Sequence, residues 1–274
     1  LWYNGYRMDE KKIEQVHQIL KKLQPYIVAY SGGNDSTLLV AISMRWNLDF
    51  CAVHCISEFT IPGETEYARY FAQHHRIPYH EITVSVMNNS QIIANTEMRC
   101  YHCKHEIFKN MVAYAHANGF INVIDASNAS DSNDYRPGKK ALAELGILSP
   151  FVEAGITKDD IYSALADIQI PHKQFSNSCL ATRIPYHTSI TNIMLDSIAK
   201  AETFIAMLGF TAVRVRYHYP IARIEIPEEE IAYFMDATLR NKVVAFIKEL
   251  GFLYVTVDCE GFSSGNLNRM LPHE

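Results

Sequence analysis

The stretch Ser31-Gly32-Gly33-Asn34-Asp35-Ser36 constrains this chain more than any other. A short β-type run, Tyr26-Ile27-Val28-Ala29-Tyr30, precedes it, and a helix-type run, Thr37-Leu38-Leu39-Val40-Ala41-Ile42, follows. A strand, a tight glycine turn and a helix N-terminus together make an anion site. The glycines let the backbone turn sharply, and the N–H groups of the helix start, backed by its dipole, point at a phosphate. The plainer account is a βα turn in which Asp35 and Ser36 only cap the helix. The loop is not a Walker A loop, because it lacks the lysine of Gly-x4-Gly-Lys-Ser/Thr.

The rest of the chain supplies the frame such a loop needs. Helical spacing of Ile13, Val16, Leu20 and Leu23 predicts a helix over 9–23, and residues 50–56 read as a second strand. Pro62-Gly63-Glu64 opens a helix running to His75, Tyr79–Val86 a third strand, and residues 121–125 a fourth. Thr157-Lys158-Asp159-Asp160 starts a further helix with an N-cap and an acidic first turn. Strands alternating with helices predict an α/β, doubly wound parallel sheet over residues 1–171, with ligands at the carboxyl ends of its strands. After Pro171 the pattern changes to a helix over 191–208, a hairpin around Tyr219-Pro220, a helix over 238–250 and a strand over 253–257. Residues 172–274 therefore read as a smaller C-terminal α+β domain with a small antiparallel sheet.

At 274 residues, with 48% hydrophobic and 20% charged side chains, the chain can bury a full core in one large or two modest domains. A net charge of −5 argues against nucleic acid as a partner. No apolar run reaches the length of a membrane span and no signal pattern opens the chain, so the expected location is the cytoplasm. The six cysteines, at 51, 55, 100, 103, 179 and 259, then read as reduced thiols, metal ligands or catalysts. Cys51 and Cys55 share one face of a strand and read as small buried thiols. His74, His75 and His80 complete no metal site and read as surface or satisfied histidines.

Cys100 and Cys103 form a C-x2-C pair at the start of a helix, where both sulfurs can face one metal. The pair fits a redox couple, half a zinc site or half an iron–sulfur site, and a cluster on three cysteines, with Cys179 as the third, is chemically coherent. Cys179 sits in a Ser-Asn-Ser-Cys loop near Arg183, and a cationic neighbour favours the nucleophilic thiolate. Arg214 and Arg216 alternate on a predicted strand and can converge on one phosphate or carboxylate, with Arg223 across the hairpin. Glu202 and Glu225 could serve as oxygen ligands of Mg2+ or as partners of these arginines, and spacing does not separate the two.

Taken together these motifs resemble two nested groups. Ser31–Ser36 resembles the pyrophosphate (PP) loop of N-type ATP pyrophosphatases, which cleave ATP to AMP and pyrophosphate. With Arg99-Cys100-Tyr101-His102-Cys103-Lys104, Asp134–Gly138, Ser149–Gly155, Cys179–Tyr186, Arg214-Val215-Arg216 and Ala222-Arg223-Ile224-Glu225, the chain resembles the LarE family of ATP-dependent sulfur transferases. Their product serves the nickel-pincer nucleotide of lactate racemase. The resemblance implies a PP-loop fold and adenylation of the carboxylates of pyridinium-3,5-biscarboxylic acid mononucleotide. ATP would sit on Ser31, Gly32, Gly33, Asp35 and Ser36, with Mg2+, and sulfur would transfer at Cys179. It further implies a [4Fe-4S] cluster on Cys100, Cys103 and Cys179 and substrate phosphate on Arg214 and Arg216 beside Arg183. Glu202 and Glu225 would lie at a metal or phosphate site, sulfide or another donor would supply the sulfur, and the assembly would be a homo-oligomer, a hexamer by analogy. The chain departs from the pattern at Ala126 (glycine elsewhere), Ser130 (aspartate elsewhere) and Tyr217-His218-Tyr219 (a His-Gly turn elsewhere).

Three other readings share parts of this pattern. A tRNA thiolase also pairs such a loop with three cysteines, but it calls for a basic surface and often further C-x2-C pairs. An amidotransferase-coupled synthetase explains the loop and leaves the cysteines idle. A non-catalytic nucleotide-binding regulator with a structural zinc would hold zinc without iron.

Overall fold

The computed structural model describes residues 10–130, 137–170, 178–263, 267 and 269. These fall into two compact units. One lies within Leu1–Ser57, Gly63–Val86 and Cys100–Gln174, the other within Glu58–Pro62, Met87–Arg99 and Phe175–Glu274.

The first unit is built on a parallel sheet of β1 (Tyr26–Ala29), β2 (Phe50–Ile56), β3 (Tyr79–Thr83) and β4 (Asn122–Ile124), in the order β3-β2-β1-β4. Register runs from Tyr26↔Phe50 to Ala29↔Val53 on one side of β1 and from Tyr26↔Asn122 to Val28↔Ile124 on the other. Helix α1 (Glu10–Leu23) precedes β1, and α2 (Asn34–Arg45) and α3 (Glu64–His74) join β1 to β2 and β2 to β3, followed in chain order by α4 (Ser90–Ile93), which belongs to the second unit, and α5 (Arg99–Ala117). Helices α6 (Gly138–Glu144), α7 (Pro150–Glu153) and α8 (Lys158–Asp167) complete the first unit.

Alternation along β1 divides the core. Tyr26, Val28 and Tyr30 pack with Val16 and Leu20 of α1, Leu38 and Ile42 of α2, Phe151 and Leu165. Ile27 packs the opposite way, with Val53 of β2, Phe108 and Met111 of α5 and Leu142 of α6. Burial on both faces is what a parallel sheet with helical crossovers requires, and it bears out the doubly wound α/β reading. Cys51 and Cys55 lie against the second of these clusters, and burial pushes their thiols up to about 11 and 12. They are packing groups. His74 stacks on Tyr70 and His80 on Tyr114. The third strand is shorter than expected, ending at Thr83.

The second unit holds a short 3-10 helix (Leu180–Arg183), α9 (Asn192–Met207), β5 (Arg214–His218), β6 (Ile221–Glu225), α10 (Glu228–Phe234), α11 (Ala237–Glu249) and β7 (Tyr254–Val257). The β5–β6 hairpin is antiparallel, with Arg214↔Glu225 and Arg216↔Arg223 opposite each other. The sheet as a whole corrects the antiparallel expectation: β7 adds parallel to β6, from Ile221↔Tyr254 to Ile224↔Val257. The physical reason is α10 and α11, which carry the chain back to the starting end of β6, as a parallel crossover needs. Val215, Ala222, Ile224, Ile226, Phe234 and Ile247 form this unit's own apolar core.

Helix α8 shows how local sequence sets an element. Thr157 accepts from the Asp160 amide while the Asp160 carboxylate accepts from the Thr157 amide, a reciprocal capping box. Replacing Thr157 with alanine is expected to lower the local stability of α8 by about 1 kcal/mol. Amide hydrogen exchange in α8 measures this, and unchanged protection would contradict the cap's role.

Candidate functional site

Within the first unit the strand order reverses between β1 and β4, so the crevice at their carboxyl ends is the switch point where doubly wound sheets bind ligands. Ser31–Ser36 follows β1 there, and Asp125–Ser130 follows β4. The loop is held from within. Ser36 Oγ lies 3.1 Å from Ser31 Oγ and donates to the Gly33 carbonyl at 3.2 Å, while the Gly33 amide donates to Ser31 Oγ. Gly32 adopts φ +72°, and a Cβ there would approach the Ala68 side chain to 3.3 Å, so this position calls for glycine on both counts. Gly33 caps α2 with extended backbone, and Asp35 lies in the first turn.

The segment after β4 locks onto this loop. Buried Asn128 donates from Nδ2 to Asp35 Oδ2 at 3.0 Å and accepts the Ser130 amide on Oδ1. Asp125 accepts from both Ser127 Oγ and Ser149 Oγ. Sequence reasoning noted this segment only for its departures from relatives and missed Asn128. Its partner lies 93 residues away, and no local periodicity announces it. Of the Asp134–Gly138 motif, residues 134–136 lie outside the described residues. Gly138 lies against the Lys104 side chain, whose Cδ would sit 2.6 Å from an added Cβ.

Cys100 and Cys103 are the second and fifth residues of α5, in the first unit, both half-buried and outside any disulfide. Next to them Tyr101 donates its hydroxyl to Glu144 at 2.6 Å. Cys179 belongs to the second unit and is likewise half-buried and outside any disulfide.

In the second unit Cys179 is the N-cap of the 3-10 helix, and its carbonyl accepts from Thr182 Oγ1 (2.7 Å) and Arg183 Nη1 (3.1 Å). Arg183 is buried. Its Nε and Nη2 grip both carboxylate oxygens of Glu202 at 2.8 and 3.0 Å, and Nη1 also donates to the Ser178 carbonyl. The arginine thus fixes the backbone of the turn that carries Cys179. Glu202 Oε1 additionally accepts the Val215 amide at 2.9 Å, tying α9 to β5.

A second buried fork repeats the device. Arg216 donates from Nε and Nη2 to the two oxygens of Glu225 at 2.9 and 2.8 Å, and from Nη1 to the Thr182 carbonyl at 2.7 Å. Arg223 shares Glu225 at 3.0 Å. Of the two readings that sequence leaves open for Glu202 and Glu225, the structure displays the arginine pairing. Arg214 is buried over the Phe262 ring at 4.5 Å. Burial, then the charges of Arg183 and Arg216, push its guanidinium down to about 10, still charged at neutral pH. Among the described residues of each unit, no three His, Cys, Asp or Glu side chains are placed together to hold a metal ion.

Two further residues hold the turn and were not singled out from sequence. Asn95 Nδ2 donates to the carbonyls of Pro185 and Thr188 at 2.8 and 3.1 Å. Buried Arg99 bonds Asn95 and the Ala181 carbonyl. Arg99 stood within a quoted motif; Asn95 carried no signal.

No protein-family model matches the chain. Over 266 residues it is 36% identical to an uncharacterized protein of Synechocystis sp., covering 96% of this chain and 99% of that one. It is 34% identical over 255 residues to the pyridinium-3,5-bisthiocarboxylic acid mononucleotide synthase of Lactiplantibacillus plantarum, with 92% of each chain covered. A protein of Methanocaldococcus jannaschii, also uncharacterized, is 29% identical over 262 residues, 93% of this chain and 98% of its own.

Removing one partner of a buried pair leaves an uncompensated charge. Glu202→Ala is expected to weaken the second unit by about 3–5 kcal/mol. Hydrogen exchange of the β5 amides reads the loss, and wild-type protection in the variant would contradict the framework.

Proposed function

The chain belongs to the LarE family of pyridinium-3,5-bisthiocarboxylic acid mononucleotide synthases, and on that footing we propose that it is an ATP-dependent sulfur transferase. Its substrate in this reading is pyridinium-3,5-biscarboxylic acid mononucleotide, and its product serves the nickel-pincer nucleotide cofactor. The observation that carries the reading is the charge balance around Cys179's turn. Among the described residues, Arg183, Arg214 and Arg216 are buried in one unit with two buried carboxylates, Glu202 and Glu225. Guanidiniums gathered in this way suit an anionic ligand, and the same Arg183 clamps the turn that begins at Cys179.

In this reading ATP lies on the Ser31–Ser36 loop. The amides at the start of α2 and the hydroxyls of Ser31 and Ser36 receive the pyrophosphate, and Asn128 holds Asp35 in place beside them. A substrate carboxylate oxygen attacks the α-phosphorus, and pyrophosphate leaves with the electrons of the broken P–O bond. The acyl-adenylate then accepts sulfur at its carbonyl carbon in the neighbourhood of Cys179, and AMP leaves with the C–O electrons. The product is a thiocarboxylate, and repetition on the second carboxylate gives the bisthiocarboxylate. Arg214 and Arg216 hold the substrate's phosphate.

With the family resemblance as its ground, the reading takes Cys100, Cys103 and Cys179 as the thiolate donors of a [4Fe-4S] cluster; each is half-buried and none is in a disulfide. Bound there, the cluster would supply external sulfide as the nucleophile and spare the cysteine. Glu202 and Glu225 do not fit Mg2+ as they stand, since each carboxylate oxygen already accepts from a guanidinium. We derive no step through a metal at these residues. Six cysteines outside disulfides accord with a reducing cytoplasm, and a homo-oligomer is proposed with the family. Among the described residues no helix is long and apolar enough to cross a membrane.

The test separates the two half-reactions. Cys179→Ala is expected to reduce thiocarboxylate formation to background while substrate-dependent exchange of pyrophosphate into ATP persists. Ser36→Ala, which removes a hydroxyl donor to the pyrophosphate, is expected to lower that exchange by about a hundredfold. Full sulfur transfer by Cys179→Ala would overturn the assignment.

A further inference from the structure

Within the second unit, Arg183, Arg216, Arg223 and Arg269 bring four guanidiniums to one pocket of about 440 Å3. Arg183 and Arg216 are committed to Glu202 and Glu225, and Arg269 to Glu260. Arg223 is less fully used. It reaches Glu225 at 3.0 Å and Asp258 at 3.5 Å, and its buried Nε has no hydrogen-bond partner among the described residues. The half-exposed remainder of this guanidinium keeps N–H donors for an anion.

His218 stands at the rim of this pocket, on the strand face it shares with Arg214 and Arg216. His218 also lines a second hollow of about 420 Å3 with Pro185, Thr188, Met194, Tyr217 and Tyr219, where the described lining residues include no carboxylate. The charged groups on its pocket side are Arg216 on its own strand, Arg223 and Glu225 on β6, and Arg183 with Glu202 behind it. Asp258, Glu260 and the Cys259 thiol follow β7, and Arg269 lies beyond. Burial, then the cationic Arg223 and Arg216, hold the His218 imidazole below the usual histidine range against a smaller pull from Glu225. Among the described residues these are the groups that bias the ring toward its neutral form. An anion seated against Arg216 and Arg223 reverses the local field and favours the imidazolium.

We propose that His218 gains proton occupancy from solvent when the substrate's dianionic phosphate is seated in this pocket against Arg216 and Arg223. The imidazolium then adds an N–H donor to those of Arg216 and Arg223. This rests on the reading of the substrate as a mononucleotide and adds that holding its phosphate is coupled to proton uptake by His218. The sign follows from linkage. Binding raises the pKa of His218, so the added affinity is fully present below the ligand-free pKa and is lost as pH rises through the ligand-bound one.

Sulfate is the probe, because it stays a dianion from pH 5 to 8 whereas phosphate itself titrates there. On the full chain, sulfate affinity is expected to rise about tenfold as pH falls across this range, and the His218 imidazole pKa, followed by NMR, to rise by about one unit in saturating sulfate. The resonance is assigned by its absence from His218→Gln, whose sulfate affinity is expected to lose the pH slope. An unshifted imidazole in saturating sulfate, or a wild-type slope in His218→Gln, overturns the proposal. Sulfate binding with no pH dependence sinks the proton uptake alone. Failure to bind sulfate at any pH removes the phosphate-holding role of the pocket as well.

Discussion

The second unit depends on two buried guanidinium–carboxylate forks, Arg183 on Glu202 and Arg216 on Glu225. Charges taken out of water must be paired and hydrogen-bonded to be tolerated at all, so each fork dictates the position of everything it touches. Through Arg183 and Thr182 the forks fix the carbonyls of the Cys179 turn. Through the Val215 amide and the Arg214↔Glu225 register they fix the hairpin. An apolar core could have held the same elements with less desolvation. What it could not have done is present guanidiniums to a ligand.

The first unit solves a different problem by a different route. Its sheet is apolar on both faces, and polar groups gather only where β1 and β4 end on either side of the switch point. There Gly32 turns the chain through positive φ, the two serines hold the loop, and Asn128 reaches across to Asp35. Rigid strands place the loops and the loops carry the chemistry, which is the usual division of labour in such sheets. The Ser31–Ser36 loop lies in one unit and the Cys179 turn in the other.

Much of this was legible from the chain because it is local. The strand–glycine–helix signal at Ser31–Ser36, the N-cap at Thr157 and the period-two arginines of β5 each depend on residues a few positions apart. Helix α10 has a local signal too, Pro227 before three glutamates, although the sequence reading places no helix there. The parallel pairing of β7 was missed because strand direction follows from the intervening crossover and not from the strand's own residues. Asn95 and Asn128 were illegible for a simpler reason: their partners lie about ninety residues away, and a single asparagine has no period. The turn at Cys179 was read as a cysteine with a helpful arginine. In the fold that arginine grips the backbone around the cysteine.

The central claim is that the chain converts carboxylate to thiocarboxylate at the expense of ATP. The most direct test is to incubate protein purified without oxygen with ATP, Mg2+, sulfide and pyridinium-3,5-biscarboxylic acid mononucleotide, and to weigh the products by mass spectrometry. The account predicts replacement of carboxylate oxygen by sulfur, first once and then twice, with one AMP formed per sulfur gained. An unchanged mononucleotide beside intact ATP, or AMP released with no sulfur in the product, would contradict it.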